Sequence, residues 1–202
     1  TEPVPTAGGS ISASEDLLPS GGFDQRGQPD RFFGHYDTLS IASRPDVLSF
    51  ETAPLDSPLE IAGPVEVLLF AASTALDTDF TAKLLDVYPH GRNVPGSPPG
   101  GYELNLCDSI IRARFRNGFH AEQLMTPDEV YRFRIIMYPT ANHFAAGHRI
   151  RVDISSSNYP RFDANPNTGE PLGYSRRWLT ADQSIHHDAH HPSRLLLHTR
   201  HP

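Results

Sequence analysis

The sequence contains a single cysteine, Cys107, a single lysine, Lys83, and no long uninterrupted run of apolar residues. One cysteine can form neither an internal disulfide nor a multi-cysteine zinc site. The longest apolar stretch, residues 65–72, is interrupted by Glu66 and is far shorter than the roughly 20 residues of a membrane span. We therefore expect neither a membrane-inserted segment nor a cysteine-based centre.

The sequence also lacks an excess of positive charge. It has 17 basic and 24 acidic residues, which gives a formal net charge of −7 with neutral histidines and a pI near 5.8. The basic residues are spread along the chain and form no cluster that would neutralise phosphates. We expect neither nucleic acid nor a membrane surface as a partner, while self-association into a homo-oligomer is compatible with the sequence.

The first 46 residues differ in composition from the rest of the chain. They contain five prolines and six glycines without a sustained apolar period, which predicts irregular, extended backbone. Phe23, Phe32, Phe33 and Tyr36 nevertheless supply more aromatic surface than a free linker exposes. We predict that residues 1–46 form an arm or linker packed partly on a body formed by residues 47–202, with order beginning at about Phe23.

From residue 47 onward, short β-branched and aromatic runs are separated by Pro, Gly and Asn, which is typical of an antiparallel β fold. The predicted strands are residues 47–51, 65–73, 80–88, 109–116, 130–138, 149–155 and 194–198. No long amphipathic helix pattern separates them. The fold is therefore predicted to be all-β, a two-sheet jelly-roll sandwich with little helix. The Pro- and Gly-rich residues 94–101 predict a projecting loop.

Two predicted strands alternate between apolar and cationic side chains, which indicates one buried and one solvated face. In one of them the alternating residues are Tyr131, Arg132, Phe133, Arg134 and Ile135. In the other they are Ile111, Arg112, Ala113, Arg114, Phe115 and Arg116. We expect the arginines of both runs to face solvent.

The sequence contains no convincing catalytic nucleophile. The nearest approach to the G-x-S-x-G turn of α/β-hydrolases centres on Ser10, but Ser12 occupies the position of the second glycine. Cys107 lies beside a predicted strand, where a buried, inert thiol is expected. We predict that no catalytic residue lies in this chain.

Histidines near the C-terminus are the first candidates for a metal site. The spacing of His186, His187, His190 and His191 gives i, i+4 pairs around Asp188, as in metal-binding helices. The following Pro192 and the predicted strand favour a loop. In a loop, residues four positions apart do not share one face as they do on a helix. These four residues are therefore candidates for a transition metal only if the backbone brings them together.

A second group has the spacing of a calcium loop. Asp163, Asn165 and Asn167 occupy the first, third and fifth positions of an EF-hand-like pattern. The glycine comes one residue late, at Gly169, and the twelfth position is Tyr174 instead of Glu. Side chains that cap turns explain the pattern equally well. We expect no resident metal and no cofactor.

Four long strings resemble, in order, the C-terminal domain of the X-Pro dipeptidyl-peptidase and cocaine esterase family of serine hydrolases. They are DTDFTAKLLDVYPHGR at residues 77–92, NLCDSIIRARFR at 105–116, AGHRIRVDISSSNYPRFDANPNTG at 146–169 and HDAHHPSRLLL at 187–197. The lead-in strings FDQR at 23–26 and RPDVLSFETAPL at 44–55 are similar to that family as well. The resemblance covers nearly the whole chain.

The resemblance implies a galactose-binding-like jelly roll attached to an α/β-hydrolase domain with a cap. In the family the serine, acid and histidine of the catalytic triad come from the hydrolase domain, so no triad residue transfers to this chain. The parent protein would cleave X-Pro dipeptides, α-amino acid esters or aromatic esters. This chain alone is expected to be inactive and to brace the hydrolase domain and help to shape its pocket.

The candidate contacts with the hydrolase domain lie in two strings. Asp77, Asp79 and Phe80 begin a predicted strand, where turn capping around a buried Phe80 is the alternative role. The loop at residues 155–169 is too long for a hairpin turn and mixes polar and aromatic residues, as interaction loops do. Its candidate contact residues are Asn158, Tyr159, Arg161 and Phe162, although a self-packed loop is also compatible with these residues.

Two other functions remain open at this stage. A carbohydrate-binding module would need exposed aromatic platforms, for which Tyr174 and Trp178 are the candidates. A metal-dependent, cupin-like protein would need histidines that face the interior between the sheets.

Overall fold

A computed structural model describes residues 4–6, 25, 40–90, 101–159 and 161–200. Most of the predicted arm and residues 94–100 of the predicted loop lie outside the described residues. The strands are β1 Val4–Thr6, β2 Leu48–Glu51, β3 Leu59–Ser73, β4 Asp79–Tyr88, β5 Tyr102–Arg112, β6 Tyr131–Phe144, β7 Arg149–Ser155, β8 Ala181–His186, β9 Arg194–Leu196 and β10 Thr199–Arg200. In these ranges the helices are 3-10 turns, at Ile41–Ser43 and Ala113–Phe115. No described helix is long and apolar enough to cross a membrane.

The described strands form two antiparallel sheets, which confirms an all-β sandwich. In the first sheet β3 is central: β6 pairs along one side of it, and β8, β9 and β10 pair along the other. The second sheet has the order β2-β7-β4-β5. The short β1 pairs with β8, so part of the predicted irregular arm is a strand. The register of β3 against β6 shifts at Gly63, whose positive φ of 137° a glycine adopts without strain.

The space between the sheets is filled by apolar side chains from both inner faces. Phe80 and Phe133 meet at its centre, with ring centroids 4.7 Å apart. The cluster also contains Val65, Val67, Leu69, Leu84, Ile135, Met137, Phe144, Ile150, Val152, Ile154 and Ile185. The cupin-like alternative, which needs histidines that face this interior, remains a prediction.

Most predicted strands are confirmed, and one is corrected. The alternation at residues 131–135 places Phe133 and Ile135 inside and Arg132 and Arg134 outside, as expected. The run predicted as a strand over residues 109–116 ends at Arg112, and Ala113–Phe115 form a 3-10 turn. Arg114, expected in solvent, is only 2% exposed. The prediction failed because a buried carboxylate holds Arg114, which an alternating pattern does not reveal. β8 was not predicted.

The described parts of the N-terminal 46 residues contact the sandwich. Gln25 is fully buried, and its backbone N–H donates to the carbonyl of Glu103 at 2.8 Å. Ile41 and Val47 form a small buried cluster of their own. The domain division at residue 46 remains a prediction, and these contacts are consistent with an arm that lies partly on the body.

Candidate functional site

Two aspartates before and at the start of β4 organise a buried polar network. Asp77 accepts hydrogen bonds from Arg114 at its Nε (2.7 Å) and its backbone N–H (2.9 Å). Asp79 accepts two hydrogen bonds from Arg112, at 2.9 and 3.0 Å. The Nδ2 of Asn165 joins the two carboxylates, because it donates to Asp77 at 3.0 Å and to Asp79 at 2.9 Å. The loop at residues 155–169 is thereby tied to the start of β4.

Burial dominates the electrostatics of this network. It raises the pKa of Asp79, although the hydrogen bonds and charge of Arg112 and the amide of Asn165 act in the opposite direction. Asp79 in turn raises the pKa of Arg112 through its hydrogen bonds. The arginine and the amide thus offset only part of the cost of burying the charge of Asp79.

The calcium prediction gains no support from these contacts. Asn165 directs its Nδ2 toward carboxylates and its Oδ1 accepts the backbone N–H of Asn167 at 3.0 Å. Asn167 donates from Nδ2 to the carbonyl of Leu179 at 2.8 Å. The side chain of Asp163 is exposed. These contacts fit the alternative role of capping turns, and calcium binding at this loop remains a prediction.

A second buried polar layer covers the outer face of the second sheet. Lys83 on β4, Asp108 on β5, and Arg151 and Asp153 on β7 are each at most 3% exposed. The Nζ of Lys83 donates to Oε1 of Gln25 at 3.2 Å. Arg151 contacts Asp153 with 3.1 Å between Nε and Oδ1. Charged residues such as these would be expected to face solvent, but this outer face of the second sheet is covered by other parts of the chain.

The buried lysine is electrostatically unusual. Burial lowers the pKa of Lys83 to about 8, although the nearby carboxylates of Asp108 and Asp153 act to raise it. Arg161 lowers the pKa further, because it places a second positive charge close by. Burial also raises the pKa of Asp153. Lys83 and the two aspartates thus hold opposite charges where they are almost completely buried.

Arg161 connects this layer to the surface. Its NH1 lies 2.8 Å from Oδ1 of the buried Asp108, and its side chain is 31% exposed. Its guanidinium carbon lies 6.0 Å from the ring centroid of Tyr138 and 5.7 Å from that of Phe162. Tyr138 is 66% exposed. We call Tyr138, Tyr159, Arg161 and Phe162 the Arg161 patch.

The structure divides the predicted contact residues into two groups. Asp77, Asp79, Phe80 and Asn158 are at most 1% exposed and have their contacts inside the chain. Asn158, for example, donates from Nδ2 to Oδ2 of Asp108 at 2.8 Å. Tyr159, Arg161 and Phe162 retain exposed surface. Sequence reasoning missed Tyr138, although its outward position on β6 follows from the alternation that places Phe133 and Ile135 inside.

The aromatic pair proposed for sugar binding lies on a different loop. Tyr174 is 77% exposed and Trp178 is 56% exposed. Among the ring contacts between described residues, none joins Tyr174 to Trp178. The sugar-binding role of the pair remains a prediction.

The groups with nucleophilic potential are not assembled for catalysis in the described part of the chain. Cys107 is buried, and its pKa is raised to about 12 by burial and by the charge of Asp108. His148 and Asp86 form a buried pair with 2.8 Å between Nδ1 and Oδ1, as in the base and acid of a triad. Among the described residues, however, no hydrogen bond joins a histidine ring to a serine hydroxyl or to the Cys107 thiol.

An apolar cleft opens between the sheets where β2 and β9 lie opposite each other. Its volume is about 290 Å³, and core side chains such as Leu69 and Val152 form its floor. Phe50 and His187 stand at its rim in edge-to-face contact, with ring centroids 5.8 Å apart. The inner faces of the sandwich are therefore partly accessible at this edge.

His186 ends β8 and the other three candidate histidines follow on the next turn, where three acid or imidazole groups come together. His186, Asp188 and His191 each place one donor atom within 4.8 Å of the other two. Two of the four predicted metal candidates, His187 and His190, are not in this group. Asp188 belongs to the group, although the sequence analysis named it only as the residue between the histidines.

Comparison with known proteins places these observations in a family. Residues 11–196 match the X-Pro dipeptidyl-peptidase C-terminal non-catalytic domain. The cocaine esterase of Rhodococcus sp. (strain MB1 Bresler) is 38% identical over 198 residues, which is 97% of this chain and 30% of that protein. The chain therefore spans about a third of the length of this relative.

Solved structures show the same relationship. An α-amino acid ester hydrolase superposes with a TM-score of 0.74 at 34% identity, over 79% of this chain and 26% of that one. An aminopeptidase from a Thaumarchaeota archaeon superposes with a TM-score of 0.72 at 36% identity, over 78% and 26% of the two chains.

Proposed function

Because the chain belongs to the family of X-Pro dipeptidyl-peptidase C-terminal non-catalytic domains, we propose that it works as part of a larger serine hydrolase. In this role it braces an α/β-hydrolase domain and its cap and helps to shape the substrate pocket. The bond cleaved by the whole protein would be an ester or an amide, in keeping with the names of the relatives. The triad would come from the hydrolase domain.

The arrangement of the described nucleophilic groups supports a non-catalytic role. A serine or cysteine nucleophile needs a base within hydrogen-bonding distance to become reactive. Cys107 instead lies 4.0 Å from the sulfur of Met137, and burial raises its pKa to about 12. The His148–Asp86 pair is packed against the ring of Tyr88 at 4.2 Å between centroids. These groups therefore stabilise the fold.

The Arg161 patch is the contact surface that we propose for the hydrolase domain. A protein interface gains most from aromatic and arginine side chains that are held in place before binding. Asp108 holds Arg161 from beneath, and the guanidinium lies near the exposed ring of Tyr138. Asp77, Asp79, Phe80 and Asn158 would act indirectly, because their contacts fix the start of β4 and the loop that carries the other three residues of the patch.

The first test is the reading frame that precedes Thr1. The proposal requires a G-x-S-x-G motif there, on a strand-to-helix turn within an α/β-hydrolase pattern. An upstream frame without a hydrolase domain would remove the proposed partner.

The second test measures the contact in the whole protein. Tyr138→Ser is compared with Tyr174→Ser, since both remove an exposed tyrosine, at 66% and 77% exposure respectively. The proposal makes Tyr138 an interface hot spot, whose truncation costs about 2 kcal/mol or more, so Tyr138→Ser should lower the unfolding temperature of the whole protein and its kcat/KM. Tyr174→Ser should change neither, and both variants should leave the isolated chain unchanged. Equal effects of the two variants in the whole protein would contradict the proposed surface.

A further inference from the structure

The turn between β8 and β9 has the donor atoms of a small metal centre. Nδ1 of His191 lies 3.3 Å from Oδ2 of Asp188, and the rings of His186 and His191 are 5.3 Å apart between centroids. In tetrahedral zinc sites with bonds of about 2.0–2.1 Å, neighbouring donor atoms are roughly 3.4 Å apart. The Asp188–His191 separation fits one edge of such a tetrahedron. The donor atoms of all three residues lie within 4.8 Å of one another.

The backbone of this turn is held in place independently of a metal. His186 ends β8 in register with Phe70 of β3. Ser193 accepts the backbone N–H of Phe70 at 2.8 Å and donates to the carbonyl of His186. Oδ1 of Asp188 accepts the backbone N–H groups of His190 and His191, at 2.7 and 2.9 Å. A metal would therefore bind to a preorganised turn and would not have to order a flexible one.

The two oxygens of Asp188 have separate roles. Oδ1 caps the turn, whereas Oδ2 has the 3.3 Å contact with His191. Because Oδ1 already accepts two backbone N–H groups, Oδ2 is the oxygen that can bind a metal.

We propose that His186, Asp188 and His191 bind a divalent transition metal ion, with solvent at the fourth position. Two imidazole nitrogens and one carboxylate oxygen suit Zn²⁺, Co²⁺ or Ni²⁺, whereas Mg²⁺ and Ca²⁺ prefer oxygen ligands throughout. Asp188 and His191 have side chains 54% and 37% exposed, so an ion can enter from solvent. The bound ion would cross-link the end of β8 to the turn that leads into β9.

The test uses two double variants that remove the same number of histidines from the same turn. Metal-free protein is titrated with ZnCl₂ by calorimetry and with CoCl₂ by visible absorption, which reports tetrahedral coordination. The wild type should bind one ion per chain. His186→Ala/His191→Ala should weaken binding at least ten-fold. His187→Ala/His190→Ala should change it less than two-fold.

A third variant separates the metal role of Asp188 from its role in the turn. Asp188→Asn keeps an oxygen that can cap the backbone N–H groups but removes the charged ligand. Without metal its unfolding temperature should equal that of the wild type, and its affinity for Zn²⁺ should fall at least ten-fold. Absence of one-to-one binding, or an equal loss in both histidine pairs, would overturn the proposal, because either result would mean that surface histidines bind ions without a defined site.

Discussion

Arg114 and Asp77 form a buried ion pair in which one carboxylate holds both the side chain and the backbone of the arginine. Nε of Arg114 lies 2.7 Å from Oδ2 of Asp77, and the backbone N–H of Arg114 lies 2.9 Å from Oδ1. Both side chains are at most 3% exposed. The pair holds Arg114 in the middle of the 3-10 turn Ala113–Phe115 that follows β5.

Removing one member of this pair should destabilise the chain strongly. Asp77→Ala leaves a guanidinium buried without its main partner, which costs about 3–5 kcal/mol for buried ion pairs. Glu66→Ala is the matched control, because it also removes two hydrogen bonds to an arginine, Arg134, which is 61% exposed. Urea unfolding should show a large shift in midpoint for Asp77→Ala and almost none for Glu66→Ala. Similar shifts would mean that burial of the pair has no energetic consequence.

Asn165 should be sensitive to a change of charge at constant shape. Asn165→Asp places a third carboxylate against Asp77 and Asp79, where the amide now donates to both. We expect a loss of at least about 2 kcal/mol in the free energy of unfolding, since like charges then meet in a buried site. Asn165→Ala, which only removes the two hydrogen bonds, should cost less. Stabilisation of the wild type by added Ca²⁺ would instead favour the calcium prediction for this loop.

Lys83 should make the stability of the chain depend on alkaline pH. Its pKa is lowered to about 8 in the folded chain from 10.5. Between these values the unfolded chain holds a proton that the folded chain has released, so the contribution of Lys83 to stability rises with pH. The free energy of unfolding of the wild type, relative to Lys83→Met, should therefore increase from pH 7 to pH 10.

This titration can be observed directly, because Lys83 is the only lysine in the sequence. NMR of protein labelled at lysine should show one side-chain signal that titrates near pH 8 in the folded chain and near pH 10.5 in urea. A signal that titrates near pH 10.5 in both states would show that Asp108 and Asp153 offset the cost of burying the charge.

Cys107 should resist alkylation while the chain is folded. Its pKa is raised from 9.0 to about 12, and the residue is 8% exposed. Because the thiolate is the reactive form, we expect iodoacetamide to modify the folded chain at pH 8 at least about 100-fold more slowly than the urea-unfolded chain. Mass spectrometry gives both rates. Equally fast modification of the folded chain would return Cys107 to the list of candidate nucleophiles.

The sequence predicted those parts of the fold in which side-chain alternation follows solvent exposure. β7 was predicted with the bounds it has, Arg149–Ser155, and the inward positions of Phe133 and Ile135 are confirmed. The prediction failed where a polar residue is buried by a specific partner. Arg114 is held inside by Asp77, and in the unpredicted β8 the buried Gln183 donates to Thr78 at 2.8 Å.

The candidate site was predictable only in part, for the same reason. Loop length and composition indicated Tyr159, Arg161 and Phe162, which do retain exposed surface. They could not show that Asn158 is buried against Asp108, because that contact joins residues 50 positions apart. The second buried polar layer could have been suspected from Lys83, the single lysine. Its paired neighbours on β5 and β7 are the carboxylates Asp108 and Asp153.

The most direct test of a non-catalytic role is an esterase assay on the purified chain. With p-nitrophenyl butyrate as an activated ester, we predict hydrolysis at the rate of a buffer blank. Rapid turnover that is abolished by substitution of one of the chain's own serines, or by Cys107→Ala, would contradict the assignment of this chain as the bracing domain of a hydrolase.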